Sequence, residues 1–257
     1  MSQPNILIIH CDQLRFDCLG FNGNPDIQTP HLDCLAKDSV NYNNHYTVYP
    51  ICTPSRYSFW SSLYVHQHGA WDNHATLPGG YPTFPKVLRE NGYRTAAVGK
   101  MHMNPVYQDI GFSHMELAEQ NGTGRFQDDY HRWLMERGKI DRFDLHHQSD
   151  LFREETTDHL YDMCQCAQSD LALENDSTEW ITRRAKEQIE CWEDGTPSVL
   201  MVGYRKQKTA LSGGFLRYEG WSWNSGDRLL CTKEKRLKST RAAVCLPCYV
   251  VALISFS

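Results

Sequence analysis

The chain has 257 residues, of which 40% are hydrophobic and 22% charged, so it is long enough for one large globular domain or two small ones. Its formal net charge of −5 excludes a general nucleic-acid binder, and no nucleic-acid partner is expected. The charge is uneven: residues 1–200 carry 16 Lys and Arg against 28 Asp and Glu, whereas residues 201–257 carry 10 against 3.

The ten cysteines are scattered along the chain, and Met1-Ser2-Gln3-Pro4 leads straight into an apolar run without a signal peptide. Reduced thiols and a cytoplasmic location are therefore expected. Ile6 to Ile9 is continuously apolar, the pattern of a parallel strand covered on both faces. Asp12 and Gln13 follow it. Ligands collect beyond the carboxyl ends of strands in open α/β sheets, and two oxygen-bearing side chains there suit a hard divalent cation. An aspartate capping the next turn is the plainer alternative. Asn22-Gly23-Asn24-Pro25 marks a turn. Thr29 then predicts a helix cap, with Pro30 in the first position and a helix to about Lys37. Leu32, Leu35 and Ala36 form its apolar face. Val40 to Tyr42 reads as a short strand.

Pro50-Ile51-Cys52-Thr53-Pro54-Ser55-Arg56 comes next. Thr53 suits a cap and Pro54 a first turn, which predicts a helix from Pro54 to Tyr64. Cys52 then lies just ahead of a helix N-terminus, where free N–H groups favour negative charge. Arg56 adds a fixed cation within about a turn. That combination suits chemistry on an oxyanion; a structural cysteine beside a surface arginine is the alternative. His66 and His68 read as a hydrogen-bonded helix-end cluster rather than a metal pair. Phe84 to Asn91 predicts a helix ended by Gly92, and Arg94 to Val98 a buried strand. Lys100 and His102 follow at its carboxyl end, and in an extended chain they would face one site.

Residues 104 to 172 read as an insertion over the carboxyl edge of the sheet, with a short helix from Asp128 to Arg137. His146-His147 fits a solvated loop, and Cys164-Gln165-Cys166 has no zinc spacing. Asp176-Ser177 opens a helix to about Trp192, with Ile181, Ala185, Ile189 and Trp192 on one face. Ser198 to Val202 is a further buried strand, which completes a βαβα alternation. Beyond Gly203 the composition breaks. The basic segment has one unaccompanied CxxC, Cys245 to Cys248, and a final apolar run, Tyr249 to Phe256, too short to span a bilayer. No membrane partner is expected.

The Cys52-x-Pro54-Ser55-Arg56 stretch resembles the signature of the sulfatase family. So do Gly92-Tyr93-Arg94-Thr95-Ala96-Ala97-Val98-Gly99-Lys100-Met101-His102, the opening strand with Asp12-Gln13, and Thr29-Pro30-His31-Leu32-Asp33. The four matches stand in family order over roughly residues 3 to 203. The resemblance implies an α/β fold of the alkaline phosphatase-like type, a mostly parallel sheet with helices on both faces, incomplete at the C-terminus. It divides the chain into residues 1–203, the N-terminal part of a catalytic domain, and residues 204–257, a divergent tail expected to be irregular or loosely attached.

The resemblance also implies hydrolysis of a small sulfate ester. Cys52 becomes formylglycine through a formylglycine-generating enzyme, and serves as nucleophile and metal ligand. Arg56 positions it, Lys100 binds sulfate, and His102 assists proton transfer. Asn73 is a substrate contact, because related enzymes place an asparagine near here. Asp12 and Gln13 hold the metal, Ca²⁺ being the family's usual choice. The Asp-Gln pair also occurs in phosphonate and phosphodiester hydrolases that favour Mn²⁺. The family takes further metal ligands and a leaving-group residue from much later in the chain. No matching motif follows residue 203, so an inactive fragment stands as a third reading.

Overall fold

The computed structural model describes residues 3–12, 14–119, 127–140, 171–205, 241–245 and 249–256, with backbone alone for residues 193–194 and the last two segments. The strands are β1 (Asn5–Asp12), β2 (Ser39–Tyr42), β3 (Arg94–Gly99), β4 (His114–Leu117), β5 (Ser198–Tyr204), β6 (Arg241–Cys245) and β7 (Tyr249–Phe256). They form one sheet in the order β2-β6-β7-β1-β5-β3-β4. β1, β5, β3 and β4 are parallel, as are β2 and β6; β7 runs antiparallel to both its neighbours, β1 and β6. The fold is thus a mostly parallel α/β sheet of the expected class.

The helices are α1 (Pro30–Lys37), α2 (Cys52–Ser61), α3 (Val65–His68), α4 (Phe84–Glu90), α5 (Asp129–Met135) and α6 (Ser177–Glu190). Side chains alternate across a strand, so each central strand feeds two cores. Leu7, Ala96, Val98, Leu200 and Val202 pack with Trp180, Ile181 and Ala185 of α6 and with Tyr130 and Leu134 of α5. Ile8, Ala97, Val199 and Met201 pack on the other face with Tyr57 and Trp60 of α2. The continuous apolar runs of β1, β3 and β5 follow from this coverage on both faces.

The sequence expectations hold for the central strands and for most helices. Three details differ. β1 continues through Asp12, so that residue ends the strand instead of following it. β4 lies inside the segment read as an insertion and pairs in register with β3. The expectation of an irregular or loosely attached tail also fails at the two segments described. β7 pairs with β1 along its whole length, and β6 joins β7 to β2. β1 is therefore an interior strand, not an unpaired edge. His146, His147, Cys164, Cys166 and the acidic Asp227 and Glu234 lie outside the described residues.

β3 and β5 approach closely where they end. A Cβ on Gly99 would sit 2.1 Å from the Gly203 carbonyl oxygen, and Gly99 has φ +92°. A Cβ on Gly203 would sit 2.1 Å from the Lys100 carbonyl oxygen. Only glycine at both positions allows the Lys100 N–H to donate to the Gly203 carbonyl at 2.8 Å. The contact fixes where β3 releases Lys100.

Candidate active site

Three elements meet at the carboxyl end of the sheet. β1 delivers Asp12, the segment after β3 delivers Lys100, and the start of α2 delivers Cys52 and Arg56. The sequence placed Cys52 ahead of the helix and gave the cap to Thr53. In the structure Ile51 is the cap residue and Cys52 is the first residue of α2. Pro54 still lies in the first turn, where a missing N–H breaks no helical bond. Thr53 has a different task. Its hydroxyl donates to the His102 carbonyl at 2.8 Å, tying the helix start to the segment after β3.

Asp12 is the centre of the cluster and has no exposed surface. Lys100 Nζ donates to its Oδ2 at 2.7 Å, and an Arg56 nitrogen lies 3.6 Å from its Oδ1. Both cations are themselves buried. Arg56 also donates to the Lys100 carbonyl at 2.6 Å, which fixes its guanidinium. Burial alone would push the Asp12 carboxyl up. The Lys100 and Arg56 charges overcome that and hold it well below the usual carboxylate range. Asp12 is therefore held as an anion between the Lys100 and Arg56 side chains.

Cys52 completes the group. Its sulfur lies 3.7 Å from Asp12 Oδ1, 3.9 Å from Oδ2 and 3.7 Å from Lys100 Nζ. It is partly exposed, whereas Asp12, Arg56 and Lys100 lie beneath it. Neighbouring Cys11 is a contrast: burial, with the Asp12 charge adding to it, pushes that thiol up to about 12, and it packs as a core residue. Two cationic side chains, Lys100 and Arg56, thus lie under an accessible side chain. That suits an anionic group such as sulfate or phosphonate.

His102, through its backbone carbonyl, and Asn73, through its side chain, are both tied to Thr53, the residue after Cys52. His102 is buried and has φ +56°, so the chain does not stay extended from Lys100 to His102 as the sequence suggested. The Asn73 side-chain carbonyl accepts the Thr53 N–H at 3.1 Å, next to Cys52, and so satisfies a free donor in the first turn of α2. His68 donates or accepts at Ser58 Oγ, 2.9 Å away, and its other ring nitrogen accepts the Ala70 N–H at 3.1 Å. His68 thus has the helix-end hydrogen-bonding role expected of the His66-His68 pair, whereas His66 stacks on the Tyr64 ring. Gln13 lies outside the described residues.

Two residues with visible work here were missed from the sequence. Thr53 was read as a cap only. Glu119 was left inside the insertion, yet its buried carboxylate accepts the N–H groups of Met101 and His102. It lies two residues beyond β4, a strand whose four residues give no apolar run to mark it in the sequence. The donor set fits a hard cation in part. Asp12 supplies an ionised carboxylate facing residue 52, but no group of three or more His, Cys, Asp or Glu gathers among the described residues.

The chain is similar to known proteins in sequence and in fold. The chain is 34% identical over 148 residues to an arylsulfatase of Clostridium perfringens, a match covering 52% of this chain and 31% of that protein. It is 33% identical over 128 residues to an N-acetylglucosamine-6-O-sulfatase of Bacteroides thetaiotaomicron, covering 49% and 23%. Its fold is similar to that of a phosphonate monoester hydrolase of Agrobacterium radiobacter, with a TM-score of 0.57, 19% identity, and coverage of 79% of this chain and 41% of that one. The chain thus spans about a third or less of the length of these curated relatives. A family description, Sulfatase, matches residues 4–205, which include every site residue named above. On that match, which covers more than half of its residues, the chain belongs to the sulfatase family.

Proposed function

We propose that the protein hydrolyses small sulfate esters at residue 52, after a formylglycine-generating enzyme has converted Cys52 to formylglycine. The observation that carries this reading is the buried Asp12–Arg56–Lys100 group packed under an accessible Cys52. The family generally uses formylglycine and a divalent metal. Asp12, Gln13 and residue 52 would hold the metal, Ca²⁺ on this reading, and the bound cation would neutralise charge on sulfate and nucleophile together.

The chain's own residues have separable tasks. Lys100 sits 3.7 Å from the Cys52 sulfur and is held by Asp12, so it is placed to bind a sulfate oxygen. Arg56 is locked by the Lys100 carbonyl and acts as a fixed charge under residue 52. His102 is the candidate proton carrier. Asn73 orients the first turn of α2 through Thr53, and its amide remains the candidate substrate contact. Sugar sulfates are the first substrates to try, because one relative is named an N-acetylglucosamine-6-O-sulfatase.

A second reading, hydrolysis of phosphonate monoesters or phosphodiesters with Mn²⁺, draws on the fold shared with the Agrobacterium radiobacter hydrolase. The test is parallel assay of aryl sulfate, N-acetylglucosamine 6-sulfate and phenylphosphonate esters, using protein produced with the formylglycine-generating enzyme. Turnover of the sulfates is expected. Preference for the phosphonate would favour the second reading. Inactivity of fully converted protein on all three, with Ca²⁺ or Mn²⁺ present, would leave a non-catalytic member of the family.

A further inference from the structure

We propose that Glu119 is a positioning residue that fixes the turn presenting Lys100 and His102. Its carboxylate is 2% exposed and accepts three contacts from two successive backbone N–H groups. Met101 donates to Oε1 at 2.9 Å, and His102 donates to Oε1 at 3.0 Å and to Oε2 at 2.9 Å. Successive N–H groups around a left-handed residue form a concavity that binds an anion. Here the left-handed residue is His102, at φ +56°. A non-glycine residue in that region costs of order 1–3 kcal/mol and persists only where its surroundings enforce it. The Glu119 carboxylate is the group placed to do so.

Glu119 is itself held on two sides. Its N–H donates to Asp128 Oδ2 at 2.5 Å, and its carbonyl accepts from Arg205 at 2.8 Å. Asp128 is also the cap of α5, accepting the His131 N–H at 2.8 Å. Arg205 follows β5 and lies over the Tyr130 ring at 4.8 Å. The turn after β3 is therefore referenced to α5 and to the end of β5 as well as to the Asp12 group. Burial pushes the Glu119 carboxyl up, Asp128 adds to this, and the two N–H bonds and Arg56 oppose it. Neither carboxylate oxygen needs to touch substrate for the residue to act, since its effect passes through the backbone.

Two measurements on the full chain separate this role from the sulfatase reading, on which its catalytic consequence rests. The first is amide hydrogen exchange in wild type, Glu119→Gln and Glu119→Ala. Glu119→Ala is expected to speed exchange at Met101 and His102 about a hundredfold, leaving α6 protected; Glu119→Gln, which keeps one acceptor oxygen, is expected to speed it at the same two amides by a smaller factor, about three- to tenfold. Unchanged exchange at both amides in Glu119→Ala would overturn the proposal. If that variant loses protection throughout, Glu119→Gln decides: a selective rise at Met101 and His102 supports the proposal, and none overturns it. The second is sulfate-ester turnover. Glu119→Ala is expected to lower kcat about a hundredfold with little change in KM, as for a displaced reacting group, with partial rescue in Glu119→Gln. An equal loss in both variants, carried in KM, would overturn the positioning role. Inactive wild type would overturn the sulfatase reading alone and leave the exchange result to decide on Glu119.

Discussion

Asp12 is fully buried between two cations, an arrangement with a definite energetic signature. Removing one member of a buried ion pair leaves an uncompensated charge and costs about 3–5 kcal/mol. Asp12→Asn would leave Lys100 and Arg56 buried together, so its unfolding free energy, read from urea titration, should fall by an amount in that range, with a lower midpoint. A midpoint within error of wild type would show that the three charges are not coupled. Cys52 carries the chemical prediction. Mass spectrometry of its peptide, from protein produced with the formylglycine-generating enzyme, should show conversion to formylglycine, and Arg56→Ala should lower the converted fraction. An intact thiol in every preparation would contradict the proposed activity. Asp12, Cys52, Arg56 and Lys100 were legible in the sequence because their residue types act through side chains and their spacings match strand ends and a helix start. Thr53 and Glu119 were not, because they act on backbone groups of residues far away in the chain, and no residue type at position 101 or 102 announces a partner at 119.

At the scale of elements, β4 is tied to α6 by a two-pronged ion pair. Arg184 donates to both oxygens of Glu116, one at 2.6 Å, and His114 lies 2.9 Å from the same carboxylate. Burial would raise the Glu116 carboxyl, but Arg184 and then His114 outweigh it and the net shift is downward. A lowered folded value means stability that is present above the ordinary glutamate pKa of about 4.3 and lost as pH falls through the folded value. The stability gap between wild type and Glu116→Gln should therefore be widest near neutrality and shrink below about pH 4. A constant gap would remove the ion pair as its cause. β7 gives a second prediction. It lies between β1 and β6, so every backbone group in its middle faces a partner strand. Ala252→Pro should cost about 3 kcal/mol or more by deleting a ladder bond in an interior strand, measured as a fall in thermal midpoint. β1, β3 and β5 were readable as continuous apolar runs. β4 was not, being four residues with two polar ones. The apolar run of β7 was visible, but a strand's partners are long-range, and the basic composition around it concealed its place in the sheet.

For the molecule as a whole, the cation-binding capacity is the measurable quantity. Ca²⁺ takes about 6–8 oxygens. Asp12 is the carboxylate that the described residues bring to residue 52, and no larger acidic or histidine cluster gathers among them. Calorimetry should show weak Ca²⁺ binding. Tight, stoichiometric binding would show that residues outside the described set complete the shell. The sheet order carries a consequence of another kind. β1 precedes both its neighbours by a long stretch of chain: Ile6 pairs with Val199 on one side and with Ser255 on the other. β6 and β7, by contrast, are close in sequence and pair with each other. Long loops must close before β1 gains anything, so the central strand is a late arrival on the folding pathway, while the β6–β7 pair forms on a local timescale. During synthesis Asp12 leaves the ribosome long before either strand that will hold it in place, and its apolar β1 segment must wait unpaired. The nascent chain is thus most prone to aggregation before residues 249–256 emerge, and a chaperone that shields β1 during that interval should raise the yield of folded protein.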